Sequence, residues 1–179
     1  MSKLWLLPVL LAVIISSSIG TAFAASDYYL KIDGIDGEST SANHKGEIDI
    51  QSFSWGVSNS GSMALGSGGG TGKVQFQDFH FTKTVDKSSP QLMQAVATGE
   101  HLNTVDLSVS RGGTAAYYIF HMENVMISSY STSGGSGGVP MEEVSFTYQK
   151  IEMQYVPTNP DGSAAAAVKA SWDLKTNTK

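Results

Sequence analysis

The chain has 179 residues, with 16 Asp and Glu against 11 Lys and Arg, a formal net charge of −5, and no cysteine. An acidic balance with no Lys/Arg cluster repels phosphate backbones and argues against nucleic-acid binding. Without cysteine there is no disulfide and no thiol chemistry, so packing and assembly must supply stability.

The N-terminus reads as a targeting segment. Met1-Ser2-Lys3 carries one positive charge, Leu4 to Ile15 is almost uninterrupted apolar sequence, Ser16 to Gly20 is small and polar, and Ala22-Phe23-Ala24 supplies a small-x-small cleavage pattern. That order predicts a secretory signal peptide over residues 1–24, cut after Ala24. The apolar run falls short of the roughly 20 residues a spanning helix needs, so no membrane association is expected after cleavage. Residues 25–179 suit one domain with a single core.

Most of that domain alternates with period two. Tyr28, Leu30 and Ile32 mark a first strand, and the polar, turn-rich stretch Gly34 to Gly46 reads as a long loop. Ile48 and Ile50 begin a second strand, but its apolar phase then moves to Phe53, Trp55 and Val57. Val74 and Phe76 shift in the same way to Phe79 and Phe81, and Val144, Phe146 and Tyr148 shift to Ile151, Met153 and Tyr155. An odd step in an alternating strand turns the side chains to the other face. Three such steps predict long, bent strands that serve two sheets or coil into a barrel.

One helix interrupts the strands. Ser89 is the expected N-cap, Pro90 suits the first helical position, Leu92, Met93, Val96 and Ala97 form the apolar stripe, and Gly99 stands where a C-terminal cap belongs. Val105, Leu107 and Val109 follow as a strand, with Arg111-Gly112-Gly113 turning into another over Ala115 to Met122, then Val125 to Tyr130. Asn159-Pro160-Asp161-Gly162 is a turn, and Val168 to Leu174 alternates as a last strand. The count is about eight strands and one helix. Two Gly/Ser-rich segments, Ser58 to Gly72 and Ser131 to Gly138, read as loops within the domain.

No motif for catalysis stands out. Asp33, Asp36 and Glu38 lack the ligand spacing of a calcium loop. His44, His80, His101 and His121 are scattered, with no i, i+4 pair for zinc. There is no Gly-x-Ser-x-Gly turn. Glu142 and Glu143, adjacent on a strand, point to opposite faces and cannot flank one glycosidic bond. Trp55, Trp172, Tyr117, Tyr118, Tyr148 and Tyr155 suit core or interface positions. The chain is expected to be no enzyme and to hold no cofactor and no metal.

Asp27 to Gly56, DYYLKIDGIDGESTSANHKGEIDIQSFSWG, and Gly72 to Glu100, GKVQFQDFHFTKTVDKSSPQLMQAVATGE, resemble the opening half of the Hcp family (haemolysin-coregulated protein), the tube subunit of bacterial type VI secretion. Glu123 to Tyr130, Val139 to Phe146, Lys150 to Tyr155 and Val168 to Lys175 extend the resemblance to the end of the chain. It implies a mainly β, two-sheet, barrel-like domain with one flanking helix. It also implies a homo-oligomer: six subunits close into a ring, and rings stack into a tube that can hold effector cargo and meets spike and sheath proteins. Gly34 to Gly46 looks like the family loop that reaches toward a neighbouring ring, which makes Asp36, Glu38, Ser39, Thr40, His44 and Lys45 candidate contacts. Ser58, Ser131 and Ser133 become candidates at the ring faces by the same resemblance. One departure is the signal peptide, which tube subunits of the family generally lack. It points to a second reading, a Sec-exported Hcp-fold binding protein that acts in the periplasm or outside the cell.

Overall fold

The computed structural model describes residues 25–60, 74–112 and 114–179; the expected signal peptide and most of the first Gly/Ser segment lie outside the described residues. The strands are β1 (Ser26–Ile32), β2 (Ile48–Ile50), β3 (Ser52–Ser54), β4 (Val57–Asn59), β5 (Val74–Phe76) and β6 (Phe79–Thr84). Helix α1 (Ser89–Thr98) follows, then β7 (His101–Arg111), β8 (Tyr118–Ser133), β9 (Met141–Tyr155) and β10 (Val168–Asp173). The main sheet runs β2-β1-β7-β8-β9-β6-β3, every neighbouring pair antiparallel, with β10 also on β9 and β4-β5 as a separate ladder.

The two ends of that path are consecutive in the chain. β2 pairs with β1 and β3 with β6, and between them the Gln51 N–H donates to the Thr82 carbonyl at 2.7 Å. The phase shift from Ile50 to Phe53 is therefore the hand-over from one wall to the other, and it closes the barrel. The shift within β9 has the same cause. β9 keeps β8 along one edge, but its other edge pairs with β6 up to Phe146 and with β10 from Lys150 onward. Opposite this change Asn124 takes φ 50°, and the β8–β9 register slips by one residue between Ile127 and Ser129. One bent strand, Tyr118–Ser133, thus replaces the two expected around Val125. Ser131 and Ser133 belong to it rather than to a loop.

The core fills the space between these walls with Leu30, Ile48, Phe79, Val105, Leu107, Met122, Val125 and Phe146, all fully buried. Where the barrel closes, the Phe53 ring stacks on Phe79 at 5.7 Å and meets Phe120 edge-on, while Tyr28 approaches it edge-on at 5.5 Å. Such aromatic pairs add roughly 0.5–1.5 kcal/mol each beyond the area they bury.

Helix α1 ends as expected, with Gly99 at φ 66° and the Glu100 N–H donating to Ala95 O at 3.0 Å. Its start differs. Ser88 is the N-cap, without a side-chain cap bond because its own hydroxyl donates to Asp86 Oδ1, and the expected cap, Ser89 Oγ, is engaged elsewhere. It donates to Glu142 Oε2 at 2.9 Å and accepts from Lys83 Nζ at 3.1 Å. The stripe is also narrower than expected: Leu92 and Ala95 are buried, whereas Met93 and Ala97 face solvent.

Beneath the helix start lies a buried ion pair. Lys83 Nζ sits 2.8 Å from both Glu142 Oε2 and Asp86 Oδ1, with Lys83 and Glu142 almost wholly inaccessible, and the Tyr130 hydroxyl donates to Glu142 Oε1. Removing one member of such a pair strands the other, so Lys83→Met should cost about 3–5 kcal/mol in denaturant unfolding. Adding Glu142→Gln to it, which removes the stranded charge and keeps one acceptor oxygen for Tyr130 while its amide N–H can donate to the Ser89 hydroxyl, should restore most of that loss. Burial, and the neighbouring Glu142 carboxylate, push the Tyr130 phenol from the usual 10.0 up to about 12. The folded state therefore keeps a proton that the unfolded chain has lost. Stability should fall as pH rises from 10.0 toward 12, and Tyr130→Phe should remove that part of the slope in melts at alkaline pH.

Candidate assembly surfaces

The loop that follows β1 folds back along its own subunit. The Gly37 N–H donates to Gly46 O at 2.8 Å, Ser39 N–H to Glu47 O at 2.9 Å, and Gly46 N–H to Ser39 O at 2.9 Å. These bonds make residues 35–40 an extended segment with strand-like alternation. Ile35, Gly37 and Ser39 turn inward, while Asp36, Glu38 and Thr40 turn outward. Only glycine suits position 37, since a Cβ there would lie 2.3 Å from the Glu47 carbonyl oxygen.

This placement divides the loop candidates. Ser39 is 4% exposed and His44 6%. The His44 ring stacks on Tyr29 at 4.2 Å, and its Nδ1 lies 2.9 Å from Glu47 Oε2. Ser39 and His44, two of the candidate contacts, are therefore buried within their own subunit and hold the loop down. Asp36, Glu38, Thr40 and Lys45 remain on the exposed side. Period-two reading stopped at Gly34, because the glycines and short polar residues beyond it read as turn. Continued through Ile35, it would have placed Ser39 inside.

The other candidates lie on different parts of the barrel. Ser58 is exposed on β4 opposite Gln75, and Ser131 and Ser133 are exposed on β8 opposite Glu143 and Met141. Ser58 belongs to the separate β4–β5 ladder, whereas Ser131 and Ser133 extend a wall of short hydroxyl side chains on β3, β6, β8 and β9. Ser52 and Thr82 pair at 2.7 Å, Ser129 donates to Ser145 at 3.0 Å, and Ser145 Oγ lies 2.6 Å from His80 Nδ1. The opposite wall carries ion pairs instead: His121 with Asp106, Lys150 with Glu123 at 2.7 Å, and Lys169 with Glu152 at 2.8 Å. The structure brings no two of the candidate regions into one cluster.

Some of the exposed apolar residues stand in two pairs, while Val57, Met93 and Leu174 are single. Tyr155 and Val168 stand opposite each other on β9 and β10, at 47% and 64% exposure. Val85 and Val139 are exposed near the β8–β9 turn, where the Val85 N–H donates to Pro140 O at 3.1 Å. Trp55, Tyr117 and Tyr118 pack against the core, and Trp172 stacks on Phe76 at 6.3 Å. Glu142 is buried and Glu143 exposed, as strand alternation requires. Among the described residues no three His, Cys, Asp or Glu side chains gather as metal ligands.

Comparison with known proteins agrees with this architecture. Residues 29–155 match the family model described as type VI secretion system effector, Hcp. The chain is 40% identical over 159 residues to protein hcp1 of Pseudomonas aeruginosa, an alignment covering 86% of this chain and 98% of that one. Among solved structures it is similar to a type six secretion system protein, with TM-score 0.81 and 35% identity over 86% of this chain and 99% of the other. It is also similar to Hcp1 from Salmonella typhimurium, with TM-score 0.73 and 30% identity over 86% and 98% of the two chains. A match of this length, on a barrel closed in this way, places the chain in the Hcp family of type VI secretion proteins.

Proposed function

We propose that the chain beginning at Ala25 is a structural subunit of the type VI secretion tube, without catalytic activity of its own. Six copies close into a ring, rings stack into the tube, and effector cargo travels in the lumen. The observation that carries this reading is the extent of the match, which runs from β1 to the end of β9 in the family model and covers nearly all of the Pseudomonas aeruginosa relative. The surface supports it. A head-to-tail contact closes into a ring when its rotation closes, and the exposed apolar pairs Tyr155/Val168 and Val85/Val139 give such a contact area to bury. Asp36, Glu38, Thr40 and Lys45, with Ser58, Ser131 and Ser133, are the polar residues through which rings meet, and spike and sheath proteins are the further partners.

The N-terminal segment favours a second reading. Leu4 to Ile15 followed by Ala22-Phe23-Ala24 has the order of a cleavable signal. A chain exported by that route acts in the periplasm or outside the cell as an Hcp-fold binding protein, independent of the tube.

Electron microscopy and light scattering of the purified chain from Ala25 decide the assembly question. Six-fold rings are the expected result, and a monomer at high concentration would sink the tube reading. Asp36→Lys combined with Glu38→Lys should leave single rings intact while reducing stacked rings. Blocking Sec export separates the two routes, because a tube subunit still leaves the cell through the type VI apparatus and the second protein does not.

A further inference from the structure

The buried cluster at the start of α1 holds the parts of an acyl-transfer site. Lys83 Nζ lies 2.8 Å from Asp86 Oδ1. The Asp86 carboxyl carbon is one bond further on, close to the near-attack range of about 3–3.5 Å. On its other side Nζ lies 2.8 Å from Glu142 Oε2. The hydroxyls of Tyr130 and Ser89 orient that carboxylate, as a base that takes a proton requires. Asp86 Oδ1 also accepts the Ser88 N–H at 2.8 Å and the Ser88 hydroxyl. Two donors therefore meet the oxygen on which negative charge grows during attack. The turn that presents Asp86 is pinned, with the Val85 N–H on Pro140 O and the Asp86 N–H on Ser89 Oγ at 3.0 Å. Water is kept out: the Lys83 and Glu142 side chains are 0% and 1% exposed, and that of Asp86 12%.

We propose that Lys83 and Asp86 condense into an intramolecular amide, with Glu142 as the base. The ion pair is the state from which the bond forms. Two protons leave Nζ through Glu142, and the nitrogen lone pair forms the bond to Asp86 Cγ. The Cγ–Oδ2 bond breaks, and Oδ2 takes both protons and departs as water. An ammonium and a carboxylate become one neutral amide, Glu142 ends as it began, and no oxidant or cofactor is consumed. Condensation removes two buried charges, whose desolvation cost their attraction only partly offsets. Hydrolysis, the reverse step, needs a water that the site excludes. Of the two carboxylates, Asp86 is the acceptor because its oxygen holds a main-chain donor, whereas Glu142 bonds only side chains. The reaction happens once in each chain, without turnover. It gives a cysteine-free protein a covalent tie between the end of β6 and the turn into α1, whether or not rings form.

Intact-mass spectrometry of the purified chain from Ala25, folded at neutral pH for days and then denatured, tests this. One water less than the sequence requires is expected, with no tryptic cut after Lys83 and no fragmentation between Lys83 and Asp86. Lys83→Arg should restore the full mass, and Asp86→Asn should lose ammonia in place of water. Glu142→Gln, which puts a hydrogen-bonding amide in place of the base, should slow the loss on the order of a hundredfold. Where that variant fails to fold, the unaltered chain decides alone. The full mass in the folded, unaltered chain overturns the proposal. So does a loss of water that leaves Lys83 open to trypsin, as a succinimide at Asp86 does, or an amide that joins Lys83 to Glu142 instead.

Discussion

The hydrogen bond from Gln51 N–H to Thr82 O, at 2.7 Å, marks the point on which the architecture turns. Before it the chain belongs to β1's wall, and after it to β6's wall. Without the crossing, the path β2-β1-β7-β8-β9-β6-β3 would be an open sheet with two bare edges, each a template for aggregation. The crossing also brings Phe53 against Phe79 and Phe120, so aromatic packing is concentrated where closure must hold. A second crossing, along β9 where β6 gives way to β10, lets one long strand serve both walls. Asn124, at φ 50°, accommodates the bend, and its side chain bonds Gln149 and His101 across the neighbouring strands.

The Lys83–Glu142 pair extends the same logic to the helix. It ties β6, the start of β9 and the first turn of α1 through Ser89, with Tyr130 of β8 on the remaining glutamate oxygen. Buried ion pairs add little net stability over apolar packing, but they penalise any arrangement that leaves a charge unmatched. Here Lys83, Glu142, Ser89 and Tyr130 are all matched with α1 seated beside β8. The helix carries just two buried apolar side chains, Leu92 and Ala95, so apolar contact alone would position it loosely.

The barrel was legible in the sequence because its physical cause is periodic. Each of the three phase shifts, at Ile50/Phe53, Phe76/Phe79 and Tyr148/Ile151, coincides with a change of strand or of partner. Gly99 was legible for a similar reason, since a left-handed cap strongly favours one residue type. What escaped was set by contacts between distant residues. Ser89 reads as a cap until Glu142, 53 positions away, takes its hydroxyl. Ser39 and His44 read as loop surface until Glu47 and Tyr29 are seen to hold them.

The poor legibility of the assembly residues follows from the closure itself. Both ends of the sheet path come from one chain, so a single subunit already has a complete core. Contact with another copy does not have to finish a hydrophobic interior, and the interface can be built from short polar side chains with scattered apolar pairs. Residues of that kind occur at almost any exposed strand position and follow no period or spacing. An interface that completed a core would instead announce itself as an apolar face left open on one subunit. The remaining apolar exposure here, at Val57, Val85, Met93, Val139, Tyr155, Val168 and Leu174, is divided among separate elements. The chain can therefore fold first and associate afterwards, as a subunit that must exist before its tube does requires.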